Sequence, residues 1–119
     1  MIYIGSVIIG LSQGKGRGVF ATKDIKEGEC IEKGIMTRLV NVDGNENPHL
    51  FCWNDERTLW CCGSGYLPFY NHSDNSNIKK VADLQNDTLE IYATKEIKKG
   101  EEIVGNYYSK AWRKCFQSF

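Results

Sequence analysis

Along this chain apolar residues come in short runs separated by polar turns, with little helical periodicity. Val7, Ile8, Ile9 and Leu11 form a brief, largely β-branched run, which predicts a strand. Gly14, Gly16 and Gly18 then alternate with Lys15 and Arg17 ahead of Val19, Phe20 and Ala21. Glycine at alternate positions allows positive φ or close approach of another group, so the expectation here is a strand-to-strand turn with exposed amides. Residues 31–42 continue as strand, broken at Lys33-Gly34, and 41–48 read as a turn-rich loop. Residues 49–60 give two short apolar pieces around a charged turn, and 77–84 pair with 88–93 as a hairpin across Gln85, Asn86 and Asp87. Only Tyr107, Tyr108 and Trp112 approach helical spacing. The fold class is therefore mainly β, with function carried on loops.

One segment occurs twice. Residues 20–31, FATKDIKEGECI, return at 92–103 as YATKEIKKGEEI, identical at eight of twelve positions. Two copies cannot build a solenoid, which needs three or more. Each copy is expected to end a strand at Ala-Thr, place Ile25 or Ile97 in the core and turn at Gly28 or Gly100. The plain expectation is two similar surface turns.

Composition narrows the classes. A chain of 119 residues predicts one domain with a single modest core. Its 15 basic and 15 acidic residues cancel, leaving no global field to draw nucleic acid or an anionic membrane. The apolar start is interrupted by Tyr3, Gly5, Ser6 and Gly10 and lacks a basic leader, so it reads as neither a membrane span nor a signal peptide. An intracellular protein with reduced thiols follows. Cys30, Cys52, Cys61, Cys62 and Cys115 are odd in number and contain no C-x-x-C pair, which argues against a disulfide framework and a structural zinc site.

The stretch that invites chemistry is 67–77, LPFYNHSDNSN. Proline removes a donor, and Asn, Asp and Ser bond to nearby backbone, so regular structure is not expected to persist through it. An imidazole between Asn71 and Ser73 suggests acid-base work at first sight. No Ser/His/Asp set with local context, P-loop or H-E-x-x-H accompanies it. The remaining ingredients are exposed amides, a carboxamide, two late tyrosines and a tryptophan. These suit a ligand with an amino-acid end and an adenine end.

Gly16-Arg17-Gly18-Val19-Phe20-Ala21, then Asn71-His72-Ser73 with Asn77, then Gly100-Glu101-Glu102-Ile103 with Tyr107 occur in an order and at separations that closely resemble the SET-domain protein lysine methyltransferases. The likeness covers nearly the whole chain and is greatest to the minimal, single-domain members known from viruses and bacteria. It implies one SET domain over 1–119, several small sheets, few short helices and a knot-like crossing of the C-terminal segment past 71–73, a rare topology. It also implies S-adenosylmethionine as cofactor. Backbone around Gly16, Arg17 and Gly18 would meet its methionine part, Asn71 would bond the same end, His72 would touch adenine mainly through its backbone, and Trp112 would cover the adenine. Tyr107 would be the catalytic residue, orienting a substrate lysine in its channel. No metal is implied. The partner implied is a protein with a flexible, basic, lysine-containing tail, such as a histone, lying along an exposed sheet edge, and the setting is a nucleus, that of a host included.

Several residues depart from the family pattern. Ser76 replaces a frequent proline, Lys79 stands near a second channel tyrosine of some members, and Val104 and Tyr108 are also unusual. Cys115 stands alone where many members carry a zinc-binding cluster, so the tail 112–119 is expected to complete the site by packing, with a homodimer as further cover. Glu101, Glu102, Asp83 and Asp87 are candidates to favour basic flanks of the substrate. The alternative function is a catalytically weak SET-like module that binds peptide or cofactor. A small metal protein, a third reading, predicts stoichiometric zinc.

Overall fold

The structure, a computed structural model, describes residues 2–47, 49–54 and 56–106. Strands β1 (Tyr3–Ile4), β2 (Val7–Ser12), β3 (Gly16–Ala21) and β4 (Cys30–Leu39) come first, followed by a 3-10 turn at Gly44–Glu46. Then come β5 (Leu50–Cys52), β6 (Trp60–Gly63), a second 3-10 turn at Leu67–Phe69, β7 (Asn71–His72), β8 (Ile78–Asp83), β9 (Thr88–Ala93) and β10 (Glu102–Gly105). One sheet runs β5-β6-β4-β9-β8 with β1 also on β4, and the other runs β2-β3-β10-β7. The mainly β class read from the sequence is the class observed.

Alternation sets the faces. In β9, Leu89, Ile91 and Ala93 are buried while Thr88, Glu90 and Tyr92 are only partly so, the period of two that an extended chain requires. The β8–β9 hairpin pairs Asp83 with Thr88 across a short turn, close to its expected bounds. Other expectations are corrected. The glycine-rich turn is confined to residues 13–15, and Gly16 and Gly18 already lie in β3, opposite Ser12 and Gly10. Lys33-Gly34 does not break its strand, because β4 runs unbroken from Cys30 to Leu39. Gly34 is instead a point of close approach: a Cβ there would strike Leu67 and lie 2.8 Å from Ser64 Oγ, so the 3-10 turn before β7 can seat directly on β4. The stretch 67–77 is also more regular than expected, holding that 3-10 turn and the two-residue β7.

The repeated segments clasp each other. Ile25 and Ile97 exchange backbone hydrogen bonds, N to O, of 2.7 and 2.9 Å. Gly28 N donates to Ala93 O and Gly100 N to Ala21 O, both at 2.8 Å, while Ala93 N donates to Glu29 O and Ala21 N to Glu101 O, both at 3.0 Å. Every bond made by one copy is returned by the other, so the two turns form one approximately two-fold unit. Gly28 and Gly100 take φ of 84° and 90°, conformations that would strain other residues. Ile25 and Ile97 are almost wholly buried at its centre with Ile31 and Ile103, so the expectation of two similar surface turns is corrected to a single core element.

β10 is held on both sides. It pairs antiparallel with β3 and parallel with β7, setting Val104 opposite Asn71 and Gly105 opposite His72. Asn77 extends the grip: its Nδ2 donates to Glu102 O at 2.9 Å and its Oδ1 accepts from Val104 N at 2.9 Å, so a side-chain amide stands in for a neighbouring strand. The residues that would complete a knot-like crossing, 107–119, lie outside the described residues. The wedging of β10 between β3 and β7 is the part of that topology on view.

Candidate active site

Parallel pairing with β10 carries Asn71 to the side of β3. Its Nδ2 donates to Arg17 O at 3.0 Å and to Glu102 Oε2 at 2.8 Å. Both partners are acceptors, which fixes the carboxamide orientation and leaves Oδ1 as the atom to receive a donor. Glu102 Oε1 accepts from Ser12 Oγ at 2.7 Å, so one carboxylate joins β2, β10 and β7. Gly18 makes the junction possible, since a Cβ there would sit 2.5 Å from Glu102 Oε2 and 2.8 Å from Asn71 Nδ2. Thus Gly16, Arg17, Gly18 and Asn71, expected to share a site, are neighbours.

His72 is buried, with Nε2 2.9 Å from Asp74 Oδ1. Its backbone oxygen accepts from Lys15 Nζ at 2.8 Å, across 57 positions of chain. The reading of a glycine-rich turn passed over Lys15, yet its ammonium reaches the corner from the tip of the β2–β3 hairpin. A ligand that used the His72 carbonyl would share its oxygen with Lys15, and one with a carboxylate would find an ammonium at hand. Tyr107 and Trp112, the other expected site residues, lie outside the described residues, as does Tyr108.

Glu32 is a second residue the sequence reading missed. It is fully buried in β4, accepts from Tyr70 Oη at 2.7 Å and Tyr66 N at 2.9 Å, and thereby ties both ends of the 3-10 turn that precedes Asn71. Burial raises its pKa, opposed by those two donors, and burial likewise raises the pKa of Tyr70, with the nearby carboxylate adding to it. A hint existed in the alternation: Glu32, Gly34 and Met36 share the inward phase, with a bulge between Cys30 and Glu32 burying Ile31 as well.

Among the acids expected to attract basic flanks, Glu102 serves the corner and Asp87 is occupied by Arg38 and by Trp53 Nε1. Asp83 caps its own turn through Gln85 N and Asn86 N, and Glu101 accepts from Lys98 N. Lys79 and the next residue of β8 face opposite ways. Lys79 lines an open groove of about 560 Å³ with Glu27, Glu90 and Tyr92, whereas the β8 side chain that meets β10 is the next residue, Lys80.

Lys80 stands with Cε 3.1 Å from where a Gly105 Cβ would be and Nζ 5.6 Å from the Phe51 ring centre. Burial lowers its pKa from 10.5 to about 8. The unfolded chain keeps the ordinary value, so between about pH 8 and pH 10.5 it binds more protons than the fold and stability rises across that window. Lys80→Met is expected to melt at a higher denaturant concentration than the parent near pH 7 and to lose most of that advantage near pH 10. An advantage equal at both pH values would refute the assignment.

Comparison with known proteins decides the family. The SET domain profile matches residues 16–108. The chain belongs to the SET-domain family. It is, with that family, a protein-lysine N-methyltransferase, and its cofactor is S-adenosylmethionine. This SET domain is 27% identical over 105 residues to the H3 lysine-37 specific histone-lysine N-methyltransferase of Schizosaccharomyces pombe, covering 82% of this chain and 70% of that protein. It superposes with a TM-score of 0.69 on a Plasmodium falciparum protein assigned as a histone methyltransferase, at 28% identity over 88% of this chain and 95% of the other. Polycomb repressive complex 2 of Chaetomium thermophilum, autoinhibited and bound to S-adenosylmethionine, gives 0.70 at 25% identity over 90% of this chain but 16% of that one. The SET fold expected from the sequence is thus the fold present.

Proposed function

We propose that residues 1–119 act as one SET domain that methylates a lysine on a flexible basic protein tail, with a histone tail in a nucleus as the substrate and setting. The observation that carries the site assignment is the Gly18–Asn71–Glu102 junction, where a missing Cβ leaves room and the carboxamide is fixed by its two donations. Asn71 Oδ1 would accept from the ammonium of the cofactor's amino-acid end, and Lys15 would face its carboxylate. Backbone of His72 would read adenine, with Trp112 as its cover. The histone assignment is supported by the histone-lysine specificity of the Schizosaccharomyces pombe relative.

S-adenosylmethionine supplies an electrophilic methyl group on a sulfonium. The chain's own task is to bring a neutral amine into line with it. A free lysine has a pKa of about 10.4 and must lose its proton first, which desolvation in an apolar channel favours. The Tyr107 hydroxyl would orient that amine, so rate arises chiefly from positioning. Tyr107→Phe is expected to lower kcat by roughly 100-fold while cofactor affinity stays within about twofold, because positioned polar groups of this kind contribute about 10²–10⁴. Mass spectrometry of a histone mixture incubated with protein and S-adenosylmethionine tests the whole reading. Added methyl on lysine supports it; cofactor binding without transfer, unchanged by Tyr107→Phe, would favour the weak binding module instead.

A further inference from the structure

The cofactor corner carries two opposite charges that do not neutralise each other. Glu102, partly buried, accepts from Ser12 Oγ at 2.7 Å and from Asn71 Nδ2 at 2.8 Å, both uncharged donors. Lys15, exposed at the tip of the β2–β3 hairpin, directs its ammonium to the backbone oxygen of His72 at 2.8 Å, an uncharged acceptor. Among the described residues no ion pair joins either of them to another side chain. Asp74, a further carboxylate beside the corner, is turned to His72 Nε2.

The contacts of these two residues close a ring. Lys15 N donates to Ser12 O at 3.0 Å, Ser12 Oγ reaches Glu102, and Glu102 holds Asn71. The peptide bond from Asn71 leads to His72, whose oxygen returns to Lys15. Ser12, Asn71 and His72 are each more than nine-tenths buried, so the frame is fixed and the two charges are held apart on it. A carboxylate with two neutral donors has acceptor capacity left, and an ammonium with one acceptor has donor capacity left. Each can take a charged partner without losing the bond that positions it. A simple anion or cation satisfies only one of them. A ligand that satisfies both has a cation and an anion a few bonds apart, as the α-ammonium and α-carboxylate of an amino acid are.

We infer that Glu102 and Lys15 together set the specificity of this corner for an intact amino-acid zwitterion, Glu102 answering the α-ammonium and Lys15 the α-carboxylate. The inference rests on the placement of the cofactor's amino-acid end at Asn71 proposed above, and adds that charge, beyond the Asn71 amide, selects that end. Adenosyl compounds lacking either group are disfavoured, because the missing charge leaves its counterpart unanswered. Two substitutions separate charge from support. Glu102→Gln keeps an acceptor for Asn71 Nδ2 and a polar contact for Ser12 while removing the charge, and Lys15→Met keeps the stem while removing the ammonium.

The test is titration calorimetry on the full chain with S-adenosylhomocysteine, its decarboxylated form and its deaminated form, none of which can donate a methyl group. Wild type is expected to bind S-adenosylhomocysteine several-fold tighter than either truncated compound. Lys15→Met is expected to weaken S-adenosylhomocysteine about fivefold, the scale of an exposed pair, and to leave the decarboxylated form within about twofold. Glu102→Gln is expected to weaken S-adenosylhomocysteine about tenfold, the scale of a charged hydrogen bond, and to leave the deaminated form within about twofold. A variant that weakens all three compounds by one common factor would show its residue to be scaffolding, overturning the inference while the placement at Asn71 stands. Equal binding of all three by wild type would overturn the placement and the inference together.

Discussion

Gly18→Ala is expected to weaken S-adenosylmethionine binding by roughly ten- to a hundredfold. The new methyl group would have to occupy a point 2.5 Å from Glu102 Oε2 and 2.8 Å from Asn71 Nδ2, two atoms already joined by a 2.8 Å hydrogen bond. Either side chain can swing aside, but not without parting from the other. A hydrogen bond to a charged group is worth about 1.5–3 kcal/mol, and 1.4 kcal/mol is about a tenfold change in affinity. Titration calorimetry with the cofactor checks it, and circular dichroism separates lost binding from lost folding. Unchanged affinity would mean that the Asn71 carboxamide does not face the ligand.

Glu32→Leu is the second large effect, and it falls on stability. Leucine is close to glutamate in size, so no large cavity forms, yet the Tyr70 hydroxyl and the Tyr66 amide lose their acceptor inside the fold. A buried donor left unsatisfied costs about 1–3 kcal/mol, so the pair is expected to cost roughly 2–6 kcal/mol, a large part of the 5–15 kcal/mol typical of a domain. Glu32→Gln keeps an acceptor and is expected to recover part of the loss. Urea unfolding of the three proteins checks the order, wild type above Gln above Leu. Leu equal to wild type would show that the carboxylate is dispensable.

Much of this was legible because strand physics is local. Alternation in 88–93 fixes which side chains of β9 face inward, and the short polar turn after β8 marks the hairpin. Asn71 and the Gly16–Gly18 strand were recognisable from their motifs, although nothing local says that Glu102 is the atom group between them. Where the reading failed, tertiary approach had overridden local signals. Gly34 read as a breaker because its reason for being glycine, Leu67, lies far along the chain. The two repeated turns read as surface features because each buries its isoleucine only against the other.

The reciprocal clasp also bears on the order in which the protein can be made. Its first half, 20–31, emerges from the ribosome long before its second, 92–103, and until then its turn around Ile25 and Gly28 lacks the partners that 92–103 supplies. β3 waits likewise for β10, and Asn71 for Glu102. The nascent chain must therefore hold an unfinished cofactor corner until residues 92–105 have been made. Premature termination before residue 92 would yield a fragment in which β3 has β2 alone beside it and Asn71 lacks Glu102, a substrate for chaperones and not a smaller enzyme.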